Sequence, residues 1–345
     1  MPFLDDSVLA SVQRIIVEPI ISMSIQFIAY GFYVLLFGMC IRTLLRKEPG
    51  FTRKLFLWWS IVLFILATIS ARCELYRFIA KTVLEFQAVK MRSDETKLDE
   101  FYTRDLTRNI TDGFFFALFI LTNIVTDSIL MYRCYIIWGS RKRVIVLPLF
   151  AVVTFSVVGF TGVIMYGIGN KDQAVPSNLD LVVRGDMLEM IYMIASASVN
   201  ALLTLLTAGR IWWITKEART LMGRSVSKKY QTVVDCRCHY VLESGLLYPV
   251  FAMLHIALTE TSDLVYVPVN FLPTVVQMGA IAPTLIIVRA SLGESVESVH
   301  SVKFTTMRFQ QGQSANTPSD QTRTATTPSK LEMGSSSGDT KCEDT

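Results

Sequence analysis

Residues Gly113 to Arg143 read GFFFALFILTNIVTDSILMYRCYIIWGSRKR. Most of this stretch is an unbroken apolar run, and it stops at three consecutive cations, Arg141, Lys142 and Arg143. A hydrocarbon core of about 30 Å is crossed by roughly 20 apolar residues in a helix. The run therefore predicts a membrane-spanning helix with a charged end. Asn123 and Asp127 interrupt it four residues apart, which sets both on one helical face.

The same pattern recurs along the chain. Of the 345 residues, 51% are hydrophobic and only 18% charged, the mean hydropathy is +0.42, and the apolar excess is gathered into blocks rather than spread evenly. The blocks are Pro19 to Ile41, Leu55 to Ala71, Phe114 to Trp138, Val144 to Ile168, Met187 to Trp213, Tyr240 to Leu258 and Val265 to Val288. They predict an all-α, polytopic membrane protein, a seven-transmembrane-helix bundle, because only helices satisfy every backbone group within one apolar segment. The second block is short and is expected to continue outward as a helix through Phe78 and Val83. Residues 1–18 form a short extracellular N-terminus, 19–288 the transmembrane domain, and 289–345 a Ser/Thr-rich tail. No basic segment and apolar core of signal-peptide type precedes the first block, which is expected to direct insertion itself.

Orientation follows from the cations. Fifteen Lys and Arg residues fall in the connections 42–54, 139–143 and 210–238, whereas the eight in 72–112 are matched by eight acids. Cytoplasmic loops carry the excess of Lys and Arg. The reading is an outside N-terminus and a cytosolic C-terminus, in a multi-pass protein of the plasma membrane. A net charge of +4 placed this way speaks to lipid and topology, and no nucleic-acid partner is expected. The tail from Gln311 holds thirteen Ser or Thr residues and few bulky apolar ones. Such a segment is expected to be disordered, serving either as a phosphorylation platform or as a solvating tail.

The six cysteines lie mostly on the cytosolic side, where thiols stay reduced. Cys236 and Cys238 are lipidation candidates; the Cys-Arg-Cys-His fragment they open does not supply the four ligands of a zinc site, so no metal is expected. Asn109-Ile110-Thr111 is a glycosylation sequon close to the third block.

Polar groups inside the spans carry whatever chemistry the bundle has, because a charge at mid-bilayer costs several kcal/mol on insertion scales. Asn123, Asp127, Glu189, Asn200 and His255 are the ligand- or ion-site candidates, with Gln26, Glu243, Asn270 and Gln277 as further polar partners. The alternative for all of them is an interhelical hydrogen-bond network that fixes packing, at about 1 kcal/mol per bond. Arg133 and Glu243 are cytosolic switch candidates: Arg133 either pairs with Glu243 or snorkels to lipid phosphate. Pro249, Pro268, Pro273 and Pro283 are expected to kink the last two spans and free backbone carbonyls.

Enzyme classes are excluded by inventory. With three histidines, His239, His255 and His300, neither a histidine-box di-iron site nor a three-histidine zinc site can be assembled. No Gly-x-Ser-x-Gly, His-Glu-x-x-His or P-loop is present. The seventh block has no lysine for a retinal Schiff base. The chain is expected to be no enzyme and to need no cofactor.

The strings Leu121-Thr122-Asn123 through Asp127, Met131-Tyr132-Arg133-Cys134-Tyr135-Ile136-Ile137-Trp138-Gly139, and Ile281-Ala282-Pro283-Thr284-Leu285-Ile286-Ile287-Val288-Arg289 resemble the uncharacterised seven-transmembrane protein family of mushroom-forming (basidiomycete) fungi. The resemblance covers roughly residues 20 to 295 and implies the seven-helix fold without a mechanism. Rhodopsin-like receptors differ at two markers, since Tyr132-Arg133-Cys134 replaces Asp-Arg-Tyr and the seventh block lacks Asn-Pro-x-x-Tyr. The expected function is a receptor-like sensor of a small ligand that engages a cytosolic signalling protein through loop 210–238 and the tail. The alternatives are a transporter or channel using Asp127, Glu189 and Glu243, and a structural or assembly protein.

Overall fold

The computed structural model describes residues 17–46, 50–90, 106–170, 176–221, 224–261 and 269–290. All of them belong to one compact unit ending at Ser291. The N-terminal residues 1–16 and the tail from 291 onward lie outside the described residues, as do the side chains of Asn109, Cys236 and Cys238 and most of those in 210–238. Among the described residues every regular element is a helix: α1 (Glu18–Leu45), α2 (Phe51–Lys90), α3 (Leu106–Ile137), α4 (Arg143–Gly169), α5 (Pro176–Leu221), α6 (Arg224–Glu260) and α7 (Leu272–Ala290).

Each of the seven contains a segment long and apolar enough to cross a bilayer, from 19 residues in α7 to 38 in α5. Large apolar side chains such as Ile28, Leu35, Leu147, Phe150, Ile164 and Val250 are exposed on the outside of the bundle. A soluble protein does not leave contiguous apolar surface of this extent in water. The chain is a multi-pass integral membrane protein, and its outward surface is matched to lipid.

Helices α1, α2 and α3 run antiparallel in succession. Tyr30 meets Thr68 and Cys40 meets Ser60 across α1 and α2, and Arg77 meets Asp112 while Thr52 meets Tyr132 across α2 and α3. The α1 start and the α7 start share one end, where the Asn270 N–H donates to Ser22 Oγ at 2.8 Å. We call this the near end and the opposite one the far end.

Local sequence explains the helix ends. Pro19 sits in the first turn of α1, where its missing N–H has no partner to lose, with Glu18 there and Arg42 in the last turn opposing the helix dipole. The α3–α4 turn is short because Gly139 (φ 65°) and Ser140 (φ 61°) both take left-handed backbone. Their N–H groups donate to the carbonyls of Ile136 and Tyr135, satisfying the end of α3.

Burial identifies the axis of the bundle. In α7 and α3, 78% and 61% of the most apolar window is buried, against 22% in α4. Helices α4 and α5 meet through glycines: a Cβ on Gly185 would lie 2.7 Å from the Tyr166 backbone nitrogen and 3.0 Å from the Gly162 carbonyl. Without a hydrophobic force between helices in lipid, such close backbone approach is what dispersion contacts require.

Two boundaries differ from the hydropathy reading, and a third follows its expected extension. Helix α2 reaches well past Ala71, with a span of Phe51–Ala80, as its outward continuation anticipated. The α5 segment begins at Ser177 rather than Met187. Helix α7 begins at Leu272 instead of Val265, because the Asn270 side chain accepts the Leu272 N–H at 2.9 Å and caps it. Asn270 is thus a helix cap rather than a polar group within the span, and Pro273 falls in the first turn, where it bends nothing.

Candidate functional site

Proline chemistry in α7 builds the centre of the bundle. Pro283 has no N–H to give the carbonyl four residues back, so the Gly279 carbonyl loses its helical partner. Thr126 Oγ1 on α3 donates to that oxygen at 2.7 Å. The inward face of α3 continues this contact: Thr122, Asn123, Thr126 and Asp127 are all buried. Asn123 Nδ2 donates to the Tyr248 hydroxyl at 3.1 Å, which in turn donates to Ser196 Oγ at 3.1 Å, so α3, α6 and α5 are joined by one chain of hydrogen bonds. The Tyr192 hydroxyl lies against Asn123 and Ser196. The Asn200 side chain lies against the Asp127 carboxyl group, while its Oδ1 is buried without a hydrogen-bond partner.

The five ligand-site candidates divide into two groups. Asn123, Asp127 and Asn200 belong to the central network. Glu189 and His255 lie nearer the near end, on the wall of a cavity of about 150 Å³. Helix α3 gives Phe116, Phe119 and Ile120; α4 gives Gly159 and Val163; α5 gives Asp186, Glu189, Met190, Tyr192 and Met193. His255, Ile256, Thr259 and Glu260 of α6 and Leu272 of α7 complete it. Asp186, Thr259 and Glu260 are exposed and mark the mouth, and Tyr192 and Met193 are buried and form the floor. Tyr192 separates the cavity from the central network and touches both, its ring edge-on to Phe119 at 5.9 Å between centroids. Gly159 leaves room for that ring, since a Cβ there would stand 2.9 Å from it.

An ionic cluster flanks the cavity. Arg77 of α2 holds Glu74 and Asp112, each at 2.6 Å, and its guanidinium lies 4.7 Å from the Phe115 ring centroid. The Arg77–Asp112 pair ties α2 to α3 beyond the end of the second apolar run.

At the far end the two switch candidates are not joined to each other. Glu243 accepts from Arg289 Nη1 at 3.0 Å, tying α6 to the end of α7, and Arg133 lies over the Phe56 ring at 5.4 Å. Arg210 lies near the rings of Trp138 and Trp213, at 5.1 and 4.4 Å.

Several members of these sites escaped sequence reading: Tyr192, Ser196, Tyr248, Gly279, Asp186, Glu260 and the Arg77 cluster. The available signal was weak but present for Tyr248, which stands near the middle of the sixth apolar run, away from the interface positions where tyrosine is common. Comparison with protein-family models, curated proteins and solved structures returns no match.

Proposed function

We propose that the chain is a receptor-like seven-helix sensor whose cavity admits a small ligand from the near end. The observation that carries this reading is the convergence of α3, α4, α5, α6 and α7 on one polar-and-apolar cavity at that end. Pockets of this composition, formed between helices, are the usual ligand sites of bundles. The floor residue Tyr192 leads to Tyr248 and Asn123, so a ligand that displaces it alters contacts among α3, α5 and α6. The Glu243–Arg289 pair is the far-end contact that such a shift strains, in place of an Arg133–Glu243 lock. The positive-inside distribution makes the near end extracellular, with the far end offering the basic loop 210–238 to a cytosolic signalling protein. The resemblance to the seven-transmembrane family of basidiomycete fungi speaks for the seven-helix fold alone, and the lack of enzyme motifs in the sequence supports a non-catalytic reading.

Reconstitution separates this from transport. The purified protein in liposomes is expected to bind small ligands without carrying them across, in both wild type and Asp127→Asn. Ligand flux that Asp127→Asn abolishes would replace the sensor reading with a transporter. Proximity labelling from loop 210–238 is expected to recover a signalling subunit, and recovery of lipid enzymes and chaperones alone counts against it.

A further inference from the structure

The cavity wall has an uneven charge inventory. Among the described residues its lining includes three carboxylates, Asp186, Glu189 and Glu260, and one imidazole, His255, but no lysine or arginine. Glu189 Oε1 is buried and has no hydrogen-bond partner. The charged groups that act on Glu189 are Asp186, Arg77 and Asp112. Arg77 is the one cation among these, and it is engaged by Glu74 and Asp112 at 2.6 Å each. A carboxylate held among Phe, Met and Ile side chains within a membrane span is costly unless it takes up a proton or a cation meets it, and a bound ammonium group supplies the cation.

The remaining wall suits the other half of an amphipathic molecule. Phe116, Phe119 and Tyr192 present aromatic rings, whose faces attract an ammonium group, and Met190, Met193 and Ile256 add adaptable apolar surface. The volume of about 150 Å³ is that of a protein cavity able to hold a single benzene ring. We infer that the cavity binds a small hydrophobic amine, its ammonium group at the Glu189 carboxylate and its apolar body against the α3 aromatics. The exposed Asp186 and Glu260 at the mouth raise the local concentration of cations and favour entry of this class over anions.

This inference rests on the sensor reading only in taking the cavity as a ligand site, and one experiment distinguishes the two. Full-length protein in nanodiscs is titrated calorimetrically with benzylamine, with its neutral counterpart benzyl alcohol, and with benzoate. Benzylamine is expected to bind at least tenfold more tightly than benzyl alcohol, with benzoate weakest, and Glu189→Gln is expected to erase the preference. The wild-type comparison stands even if that variant folds poorly. Equal binding of amine and alcohol overturns the amine assignment and keeps the cavity as a ligand site. An amine preference that survives in folded Glu189→Gln also overturns the assignment, since the cation then sits elsewhere. Binding of none of the three at millimolar concentration overturns both readings.

Discussion

A single residue shows how much of the centre depends on partners far away in sequence. Thr126 reads as one more hydroxyl beside Asn123, yet its donor satisfies the Gly279 carbonyl that Pro283 strips of its helical bond. Thr126→Val leaves that buried oxygen unsatisfied and is expected to cost about 1–3 kcal/mol, while Thr126→Ser keeps the bond; thermal melts of the two variants in detergent check this. Tyr248→Phe removes the link between Asn123 and Ser196 and is expected to destabilise by roughly 1 kcal/mol. A melting temperature equal to wild type would mean the hydroxyl chain holds nothing together. The i, i+4 pair Asn123 and Asp127 was legible because a polar residue in an apolar run must face inward. Its division from Glu189 and His255 was not, because that depends on where along the bundle axis each helix presents its side chains.

The elements pack by rules that sequence states only in part. The glycines of α4 and α5 are visible in the sequence, but Gly38 and Gly185 look equivalent there. The structure separates them: a Cβ at Gly38 meets nothing within 4 Å, and one at Gly185 collides with backbone atoms of α4 that cannot rotate away. Gly185→Ala is expected to destabilise by about 1–3 kcal/mol through overpacking. Gly38→Ala is expected to be neutral or to stabilise by up to about 1 kcal/mol, because alanine is the better helix former. Equal melting shifts for both would refute the close α4–α5 contact. The Glu243–Arg289 pair joins α6 to α7, but the carboxylate side chain is 52% exposed and the guanidinium 33%. Glu243→Gln is accordingly expected to change stability by less than about 1 kcal/mol, and its value to a sensor would lie in the position of the two helix ends rather than in stability.

For the whole molecule, seven spans and their alternating directions put the α3–α4 turn at the far end and the α6 terminus at the near end. The cation distribution then predicts that an epitope inserted at Ser140 is reached by antibody only after permeabilisation, and one inserted at Glu260 is reached on intact cells. The reverse pattern would invert the topology and make the cavity face the cytosol. The helix boundaries were less legible than their number. Helix α7 begins at Leu272 rather than at Val265 because the Asn270 side chain caps it, a contact that the hydropathy of the seventh block does not report.

What the sequence determined by itself was whatever depends on local transfer free energy: seven segments that prefer lipid to water, and an inward polar face on α3. Those quantities add residue by residue, so no partner has to be known. Tertiary structure alone decided which polar groups share a site. Asn123 finds Tyr248 125 positions away, Thr126 finds Gly279 153 positions away, and Glu189 faces a cavity shared with Phe116 and His255. Helix ridges and glycine contacts set those pairings, since in lipid the packing of one helix surface on another selects which polar groups can meet.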